Sequence, residues 1–185
     1  RKHKPDIIIH MAAQSLVKKS YENPIETFTT NIFGTMNIFE AVRQIQNPCL
    51  VLNVTSDKCY ENTGKTSGYI ESDPIGGYDP YSSSKGCSEL ITSSYRNSFF
   101  NSKQNENKIL IASVRAGNVI GGGDWSTDRL IPDCFRSLYQ NKTISIRNPN
   151  AVRPWQFVLE PIFGMLSLSL HLRKNPIQFS EPWTF

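Results

Sequence analysis

The chain has 185 residues, of which 38% are hydrophobic and 19% charged, and its formal net charge is +4 at neutral pH. This composition excludes an intrinsically disordered chain and supplies enough apolar side chains for one hydrophobic core. The nearly uncharged stretch 161–172 is too short to span a bilayer, which takes about 20 apolar residues, and the N-terminus does not resemble a signal peptide. We therefore expect a cytoplasmic protein that does not bind membranes.

Two further classes of site are disfavoured by the spacing of residues. The basic residues are scattered along the sequence, which argues against a nucleic-acid partner. The four cysteines form no C-x-x-C pair and the three histidines lack the spacing of ligands, so we predict no metal site and no disulfide framework.

Apolar runs of strand length alternate with segments of helical periodicity. The predicted strands, in chain order, are 6–10, 49–54, 108–114 and a short one at 144–146; the predicted helices are 24–43, 80–100, 130–139 and 158–172, and 101–107 is a polar loop. Continuous apolar strands that alternate with helices are typical of a parallel sheet covered on both faces. We predict an α/β fold with a doubly wound parallel sheet.

Polar residues follow each of the first three strands, at 10–14, 55–58 and 115–118. In open parallel sheets, ligands bind at the carboxyl ends of the strands. The sequence therefore predicts one site to which all three segments contribute.

Tyr81 and Lys85 lie one turn apart on a helix that begins after Asp79 as N-cap and Pro80 at its first position. A free phenol titrates near pH ~10, and a neighbouring cation lowers that pKa, so the pair can act as a general base. In isolation, a tyrosine and a lysine at this spacing are more often an exposed pair. Their place in a parallel α/β pattern favours the catalytic interpretation.

Asp57 and Lys58 follow the hydroxyls of Thr55 and Ser56 at the end of the second strand. An acid and a base at this place can move protons. A capping aspartate beside a solvated lysine remains the alternative.

The last third of the chain contains Arg129, Arg147 and Arg153, the last of them close to Trp155. Guanidinium groups bind phosphate oxygens and indole stacks on flat rings, so these residues fit a nucleotide diphosphate; solvated surface arginines are the alternative. No G-x-G-x-x-G string occurs, and Gly121–Gly123 does not have its spacing.

Tyr81-x-x-x-Lys85, taken with the strings at 10–14 and 55–58, resembles the extended short-chain dehydrogenases/reductases, the family of nucleotide-sugar epimerases and dehydratases. The longer strings at 115–125, 128–133 and 147–155 resemble, within that family, the 4,6-dehydratases of CDP-glucose. Lys58 stands where relatives that act on dTDP-glucose have glutamate.

The resemblance implies a Rossmann-like sheet and an NAD-dependent lyase that converts CDP-glucose to CDP-4-keto-6-deoxyglucose in deoxysugar and surface-polysaccharide (lipopolysaccharide) biosynthesis. It implies that Tyr81 takes the proton of the C4 hydroxyl, that Lys85 lowers the pKa of Tyr81 and holds the nicotinamide ribose, and that Ser56 hydrogen-bonds the same hydroxyl. Asp57 would protonate the departing C6 hydroxyl, with Lys58 in the place of the C5 base. The implied NAD-lining residues are Ala12, Ala13, Gln14, Asn31, Tyr81 and Lys85, and the implied substrate-binding residues are Asn118, Arg129, Arg147, Arg153 and Trp155.

The resemblance also implies an organisation. Residues 1–125 correspond to part of the NAD-binding domain from about its fourth strand onward, and residues 126–185 to part of the substrate-binding region. The family's glycine fingerprint lies upstream of residue 1, so we expect a fragment that is inactive alone, binds NAD poorly and aggregates. A homodimer is expected for the full-length protein, through helices 24–43 and 80–100.

Two other functions remain open from the sequence. A nucleotide-sugar epimerase or another dehydratase of the same superfamily would share Tyr81 and Lys85, although an epimerase needs no acid such as Asp57 for a departing hydroxyl. A non-catalytic scaffold that has lost cofactor binding would explain the missing G-x-G-x-x-G string. It would not explain why the chain retains four polar residues together, which are Asp57, Lys58, Tyr81 and Lys85.

Overall fold

The structure is a computed structural model that describes residues 3–44, 47–100, 105 and 108–185. In chain order the elements are β1 (Ile7–His10), α1 (Val17–Glu22), α2 (Pro24–Phe28), α3 (Gly34–Arg43), β2 (Cys49–Val54), α4 (Pro80–Phe99), β3 (Ile109–Arg115), β4 (Asn118–Ile120), α5 (Leu130–Tyr139), β5 (Trp155–Phe157), α6 (Leu159–Lys174), α7 (Pro176–Phe179) and β6 (Pro182–Thr184).

Four parallel strands form the main sheet in the order β1-β2-β3-β6. Leu50 in β2 pairs with Ile7 on one side and Leu110 on the other, so β2 is a central strand. Residues 49–53 are buried, as expected for a strand that is covered on both faces. The continuous apolar run in the sequence therefore indicated the correct strand.

Apolar cores lie on both faces of this sheet. One core joins Phe39 of α3 to Val51 and Ile111. The other joins Leu52 of β2 to Leu168 of α6. Helices thus cover both faces, which confirms the predicted doubly wound, Rossmann-like α/β fold.

The predicted helix 24–43 is present, but it is interrupted. A π-helical turn at Thr29–Phe33 separates α2 from α3. Such single turns occur often at functional sites. Here Asn31 lies within the turn and is buried.

The predicted strand at 144–146 is wrong. Residues 142–146 have no regular structure, and Ile146 is half exposed, because no strand in the described part of the chain pairs with this segment. A second, two-stranded sheet forms instead between β4 and β5, in which Asn118 pairs with Trp155. Three-residue strands carry too little periodicity to be predicted from sequence.

The last part of the chain returns to the main sheet. In β6, Trp183 pairs with Val114 of β3, and α6 covers the adjacent face. The division between residues 1–125 and 126–185 remains a prediction, although α6 and β6 pack with the elements of the first segment. Of the predicted loop 101–107, all but residue 105 lies outside the described residues.

Candidate active site

The polar segments that follow β1, β2 and β3 come together with the first two turns of α4. After β2, the Ser56 hydroxyl accepts a hydrogen bond from the Lys58 amide at 3.3 Å and so caps a 3₁₀ turn over Asp57–Cys59. The Asp57 amide donates to the carbonyl of Ala116, which follows β3, at 3.1 Å. These contacts join two of the predicted segments.

Gln14, Asn31 and α4 are joined by hydrogen bonds. The Asn31 amide nitrogen Nδ2 donates to the Gln14 carbonyl at 3.0 Å and to Ser84 Oγ at 2.8 Å, and Asn31 Oδ1 accepts from the Gln14 backbone at 2.8 Å. The side-chain nitrogen of Gln14 donates to Thr27 at 2.8 Å. The structure therefore brings Gln14 and Asn31 within one helical turn of Tyr81 and Lys85.

The loop between β1 and Gln14 is open to solvent. Ala12 is exposed and Ala13 is partly exposed. Their small side chains leave room beside the carboxyl end of β1.

Tyr81 is only 8% exposed and lies at the N-terminal end of α4. Its backbone amide donates to Ser20 Oγ at 3.2 Å, and Asp79 caps the helix by accepting from the Ser82 amide at 3.0 Å. Burial raises the pKa of Tyr81, and a hydrogen bond with the Ser56 hydroxyl acts in the opposite direction. Ser56 and Tyr81 are thus close enough to act on one group.

The predicted lowering of the Tyr81 pKa by Lys85 is wrong for the chain without ligands. Desolvation exceeds the attraction of nearby cations, and the cation that lowers the pKa of Tyr81 is Arg129. A phenol in an apolar setting holds its proton more tightly because the phenolate loses hydration.

Lys85 is buried on the same face of α4. Its ammonium donates to the carbonyl of Val54, the last residue of β2, at 3.2 Å. Burial lowers the pKa of Lys85 to about 8, while the charge of Glu89 opposes that shift. Lys85 is therefore a cation near neutral pH that is close to losing its proton.

Asp57 and Lys58 lie beside this pair and are both partly exposed. The Ser56 hydroxyl donates to Asp57 Oδ1 at 3.0 Å. The negative charge of Asp57 contributes to raising the pKa of Tyr81. Ser56, Asp57 and Tyr81 form one cluster, and the Lys58 side chain is on the same turn.

The turn-rich segment 61–77 packs tightly on the start of α4. Gly77 has φ +144°, and a Cβ atom there would lie 2.3 Å from the backbone nitrogen of Ser83. A side chain is therefore excluded from Gly77 both by its conformation and by the contact.

The predicted substrate residues fall into two groups. Arg129 donates to Ser15 at 2.9 Å and to Asp124 at 3.0 Å, which places it next to the loop of Gln14 and near Tyr81. Arg147 pairs with Asp128 at 3.2 Å and lines a surface groove beside α5.

The second group is on the small sheet, where Asn118 and Trp155 are paired in register. Arg153 is exposed and donates to the Val152 carbonyl. No described contact joins this group to Tyr81, so its place in the site remains a prediction.

Within residues 3–44, 47–100, 105 and 108–185, no group of three or more histidine, cysteine or acidic side chains is placed to hold a metal ion. In the same part of the chain, no helix has both the length and the apolar composition to cross a membrane.

A protein-family profile described as GDP-mannose 4,6 dehydratase matches residues 1–176. The chain belongs to this family.

Relatives in sequence agree with membership of the GDP-mannose 4,6 dehydratase family. The chain is 55% identical over 183 residues to CDP-glucose 4,6-dehydratase of Salmonella typhimurium, covering 98% of this chain and 51% of that protein. It is 30% identical over 107 residues to dTDP-glucose 4,6-dehydratase of Xanthomonas campestris, covering 54% of this chain and 30% of that protein. The chain therefore spans about half the length of the first of these relatives.

Solved structures share the fold. A double mutant of dTDP-glucose 4,6-dehydratase from Streptomyces venezuelae, solved with NAD bound, superimposes with a TM-score of 0.80 at 22% identity, covering 97% of this chain and 51% of that one. UDP-glucuronic acid 4-epimerase from Bacillus cereus gives a TM-score of 0.81 at 21% identity, covering 97% and 53%. These similarities establish the Rossmann-like fold.

Sequence reasoning missed a buried polar network beside Thr55 and Lys85. Glu89, one turn after Lys85, pairs with Arg115 at the end of β3 at 3.0 Å. Thr55 and Ser113 also donate to Glu89. The spacing of Lys85 and Glu89 on one helix face was an available signal.

Replacing Lys85 with methionine is expected to stabilise the protein without ligands by about 1–3 kcal/mol at pH 7, because a buried ammonium loses hydration. The pKa of Lys85 is about 8 in the folded chain and 10.5 in its ordinary state. Between those values the unfolded chain binds more protons, so the stability of the unchanged protein rises with pH and the advantage of Lys85→Met declines.

Urea unfolding at a series of pH values measures this difference. Lys142→Met, at an exposed position, is the matched control. Equal stability of Lys85→Met and the unchanged protein at every pH would contradict the expectation.

Proposed function

We propose that the protein containing this chain is an NAD-dependent hydro-lyase that converts CDP-glucose to CDP-4-keto-6-deoxyglucose. The observation that carries the proposal is 55% identity across 98% of the chain to a CDP-glucose 4,6-dehydratase, together with the cluster of Ser56, Asp57, Tyr81 and Lys85. Because the chain spans about half of that relative, the proposal concerns the protein as a whole.

The residues present fit NAD. The buried Lys85 ammonium has three hydrogens and its described hydrogen bond, to the Val54 carbonyl, uses one of them. Ribose hydroxyls would accept the others. Ala12 and Ala13 leave space at the end of β1, and Gln14 holds that loop against Asn31. When bound, NAD⁺ supplies the hydride acceptor and donor of an internal redox cycle.

Tyr81 is the proposed base for the C4 hydroxyl of the glucose. A buried phenol is a poor base by itself, since burial raises the pKa of Tyr81. The Ser56 hydroxyl lowers that pKa by hydrogen bonding and would also bind the substrate hydroxyl. Lys85, charged at neutral pH, would favour the phenolate once ligands bridge the two side chains.

Asp57 is the proposed acid for the C6 hydroxyl, which leaves as water. Its carboxylate accepts from Ser56 and is partly exposed, so it lies on the open side of the cluster. Lys58 is proposed as the base at C5, on the adjacent position of the same turn. An amine accepts a proton only through its neutral form.

Arg129, Arg147, Arg153, Asn118 and Trp155 are proposed to bind the CDP moiety. Arg129 links the Gln14 loop to the start of α5, and Arg147 lines the groove beside that helix. Guanidinium groups at these places suit a diphosphate.

The wider organisation is also a proposal. Residues 1–125 would belong to the cofactor-binding half and 126–185 would contribute to the substrate side, in a cytoplasmic homodimer that binds no nucleic acid and acts in deoxysugar biosynthesis. Helices 24–43 and α4 carry exposed apolar side chains, among them Phe33, Leu90 and Phe99, that a dimer would cover.

The test uses the longest open reading frame that contains the chain. Purified protein is given NAD⁺ and CDP-glucose, and the 4-keto-6-deoxy product is measured by its ultraviolet absorbance in alkali. CDP-glucose is expected to be turned over at least about 10-fold faster than dTDP-, GDP- or UDP-glucose, as one well-placed hydrogen bond to the base would produce.

Other outcomes refute parts of the proposal. Faster turnover of another nucleotide would overturn CDP as the substrate. Formation of a C4 epimer without loss of water would identify an epimerase, and inactivity toward all four sugars would favour a non-catalytic scaffold.

A further inference from the structure

Glu89 and Arg115 form a buried ion pair directly behind the catalytic cluster. Glu89 is 5% exposed and Arg115 is 3% exposed. Oxygen Oε2 of Glu89 accepts from Arg115 at 3.0 Å and from Ser113 at 2.8 Å, and Oε1 accepts from the Thr55 hydroxyl. Every described partner of this carboxylate is a donor, so the hydrogen bonds hold the Glu89 side chain in one orientation.

Arg115 extends the network to the far end of the catalytic turn. Its guanidinium donates to the Tyr60 hydroxyl at 2.9 Å and lies 4.8 Å from the centre of the Tyr60 ring. Thr55 precedes Ser56 and Tyr60 follows Cys59. The ion pair thus holds both ends of the turn that carries Ser56, Asp57 and Lys58.

The same carboxylate faces Lys85. Residues 85 and 89 are one turn apart on the buried face of α4. Two other titratable groups interact with Lys85. Burial raises the pKa of Cys59 to about 12, and burial and Lys85 both lower the pKa of His10, so both are uncharged at neutral pH. Glu89 is therefore the anion that opposes the Lys85 cation within the described part of the chain.

A buried ion pair is costly to desolvate and is weak evidence for a stabilising role. Its position between Lys85 and the catalytic turn points to a role in the reaction instead. We propose that Glu89, fixed by Arg115, is a positioning residue that supplies the fixed negative charge for Lys85 and holds the Ser56–Lys58 turn against α4. This inference rests on the proposed function for its effect on turnover.

Glu89→Gln in the full-length protein tests the proposal because it keeps the hydrogen-bonding shape and removes the charge. Lysine labelled with ¹³C at Cε reports the titration of Lys85 by NMR, and Lys85→Met assigns the signal. The midpoint is expected to fall by about one pH unit in Glu89→Gln, a typical effect of one close opposite charge. The alkaline limb of the pH profile of kcat/KM should move by the same amount.

Glu181→Gln is the matched control. It removes the carboxylate that pairs with Arg96, on the same helix, at 3.3 Å. Neither the Lys85 midpoint nor the pH profile should move in this variant. A Lys85 midpoint in Glu89→Gln that coincides with that of Glu181→Gln would overturn the proposal.

The double variant Glu89→Gln, Arg115→Met covers the case in which Glu89→Gln fails to fold, since it removes the unpaired cation as well. If the Glu89–Arg115 ion pair only stabilises the fold, the double variant should recover both the stability and the original midpoint of the Lys85 titration. The proposal predicts that the midpoint stays lowered. The NMR titration needs no sugar nucleotide, so a shifted midpoint in a protein inactive on CDP-glucose would refute the proposed function alone.

Discussion

Replacing Tyr81 with phenylalanine is expected to lower kcat for CDP-glucose by about 10³-fold, within the usual range for loss of a general base. The substitution removes one oxygen from a side chain that is 8% exposed, and the ring keeps its packing at the start of α4. The loss should therefore appear in turnover with little change in Tm. Formation of 4-keto-6-deoxy product by the full-length protein is the measurement.

Tyr78→Phe is the control for this variant. Tyr78 is three residues earlier and 98% exposed, so the same chemical change there should leave turnover intact. Turnover by Tyr81→Phe within a few-fold of that of Tyr78→Phe would show that another group accepts the proton.

The pH dependence of the reaction follows from the same residues. Burial raises the pKa of Tyr81, so the phenol keeps its proton through the neutral range and its ionisation gives no acid limb below the pKa of Lys85. The pKa of Lys85 is about 8, so activity should fall on the alkaline side as the ammonium proposed to hold the nicotinamide ribose loses its charge.

Asp57→Asn is expected to slow loss of water by about 10²- to 10⁴-fold and to leave oxidation at C4 largely intact. The amide keeps the shape of the carboxylate and its contact with the Ser56 hydroxyl, but its N–H protons are not acidic enough to be transferred to the departing C6 oxygen. Mass spectrometry of quenched reactions should then detect a 4-keto sugar nucleotide that retains its C6 oxygen.

Asp6→Asn is the matched control, because Asp6 is exposed and precedes β1 at the opposite, amino end of the sheet. Its kinetics should equal those of the unchanged protein. If Asp57→Asn forms the 4-keto-6-deoxy product at the rate of Asp6→Asn, a different residue provides the acid.

Strands β2 and β3 could be predicted because burial on both faces of a sheet demands an apolar side chain at nearly every position. Cys49–Val54 is such a run and forms the central strand. The N-cap at Asp79 and Pro80 at the first helical position located the start of α4 to the residue. The π turn at Thr29–Phe33 left no such signal in the sequence.

The two-stranded sheet of β4 and β5 could not be predicted from the sequence. Asn118–Ile120 and Trp155–Phe157 are distant in sequence and each is three residues long. Gly117 permits their approach, since a Cβ atom there would lie 2.7 Å from the ring of Pro154. A contact of this kind depends on two segments at once, and neither segment alone predicts it.

The residue types and their spacing were sufficient to predict the α/β class, the placement of Tyr81 and Lys85 on one helix face, and the polar segment 55–58 that follows β2. Each of these features depends on neighbours within a few positions. Only the tertiary structure shows that Lys85 is buried and that burial raises the pKa of Tyr81. It also shows that Glu89 forms an ion pair with Arg115. Desolvation of a side chain and its long-range ion pairs depend on residues that are distant in sequence. The neighbouring residues in the sequence therefore do not predict them.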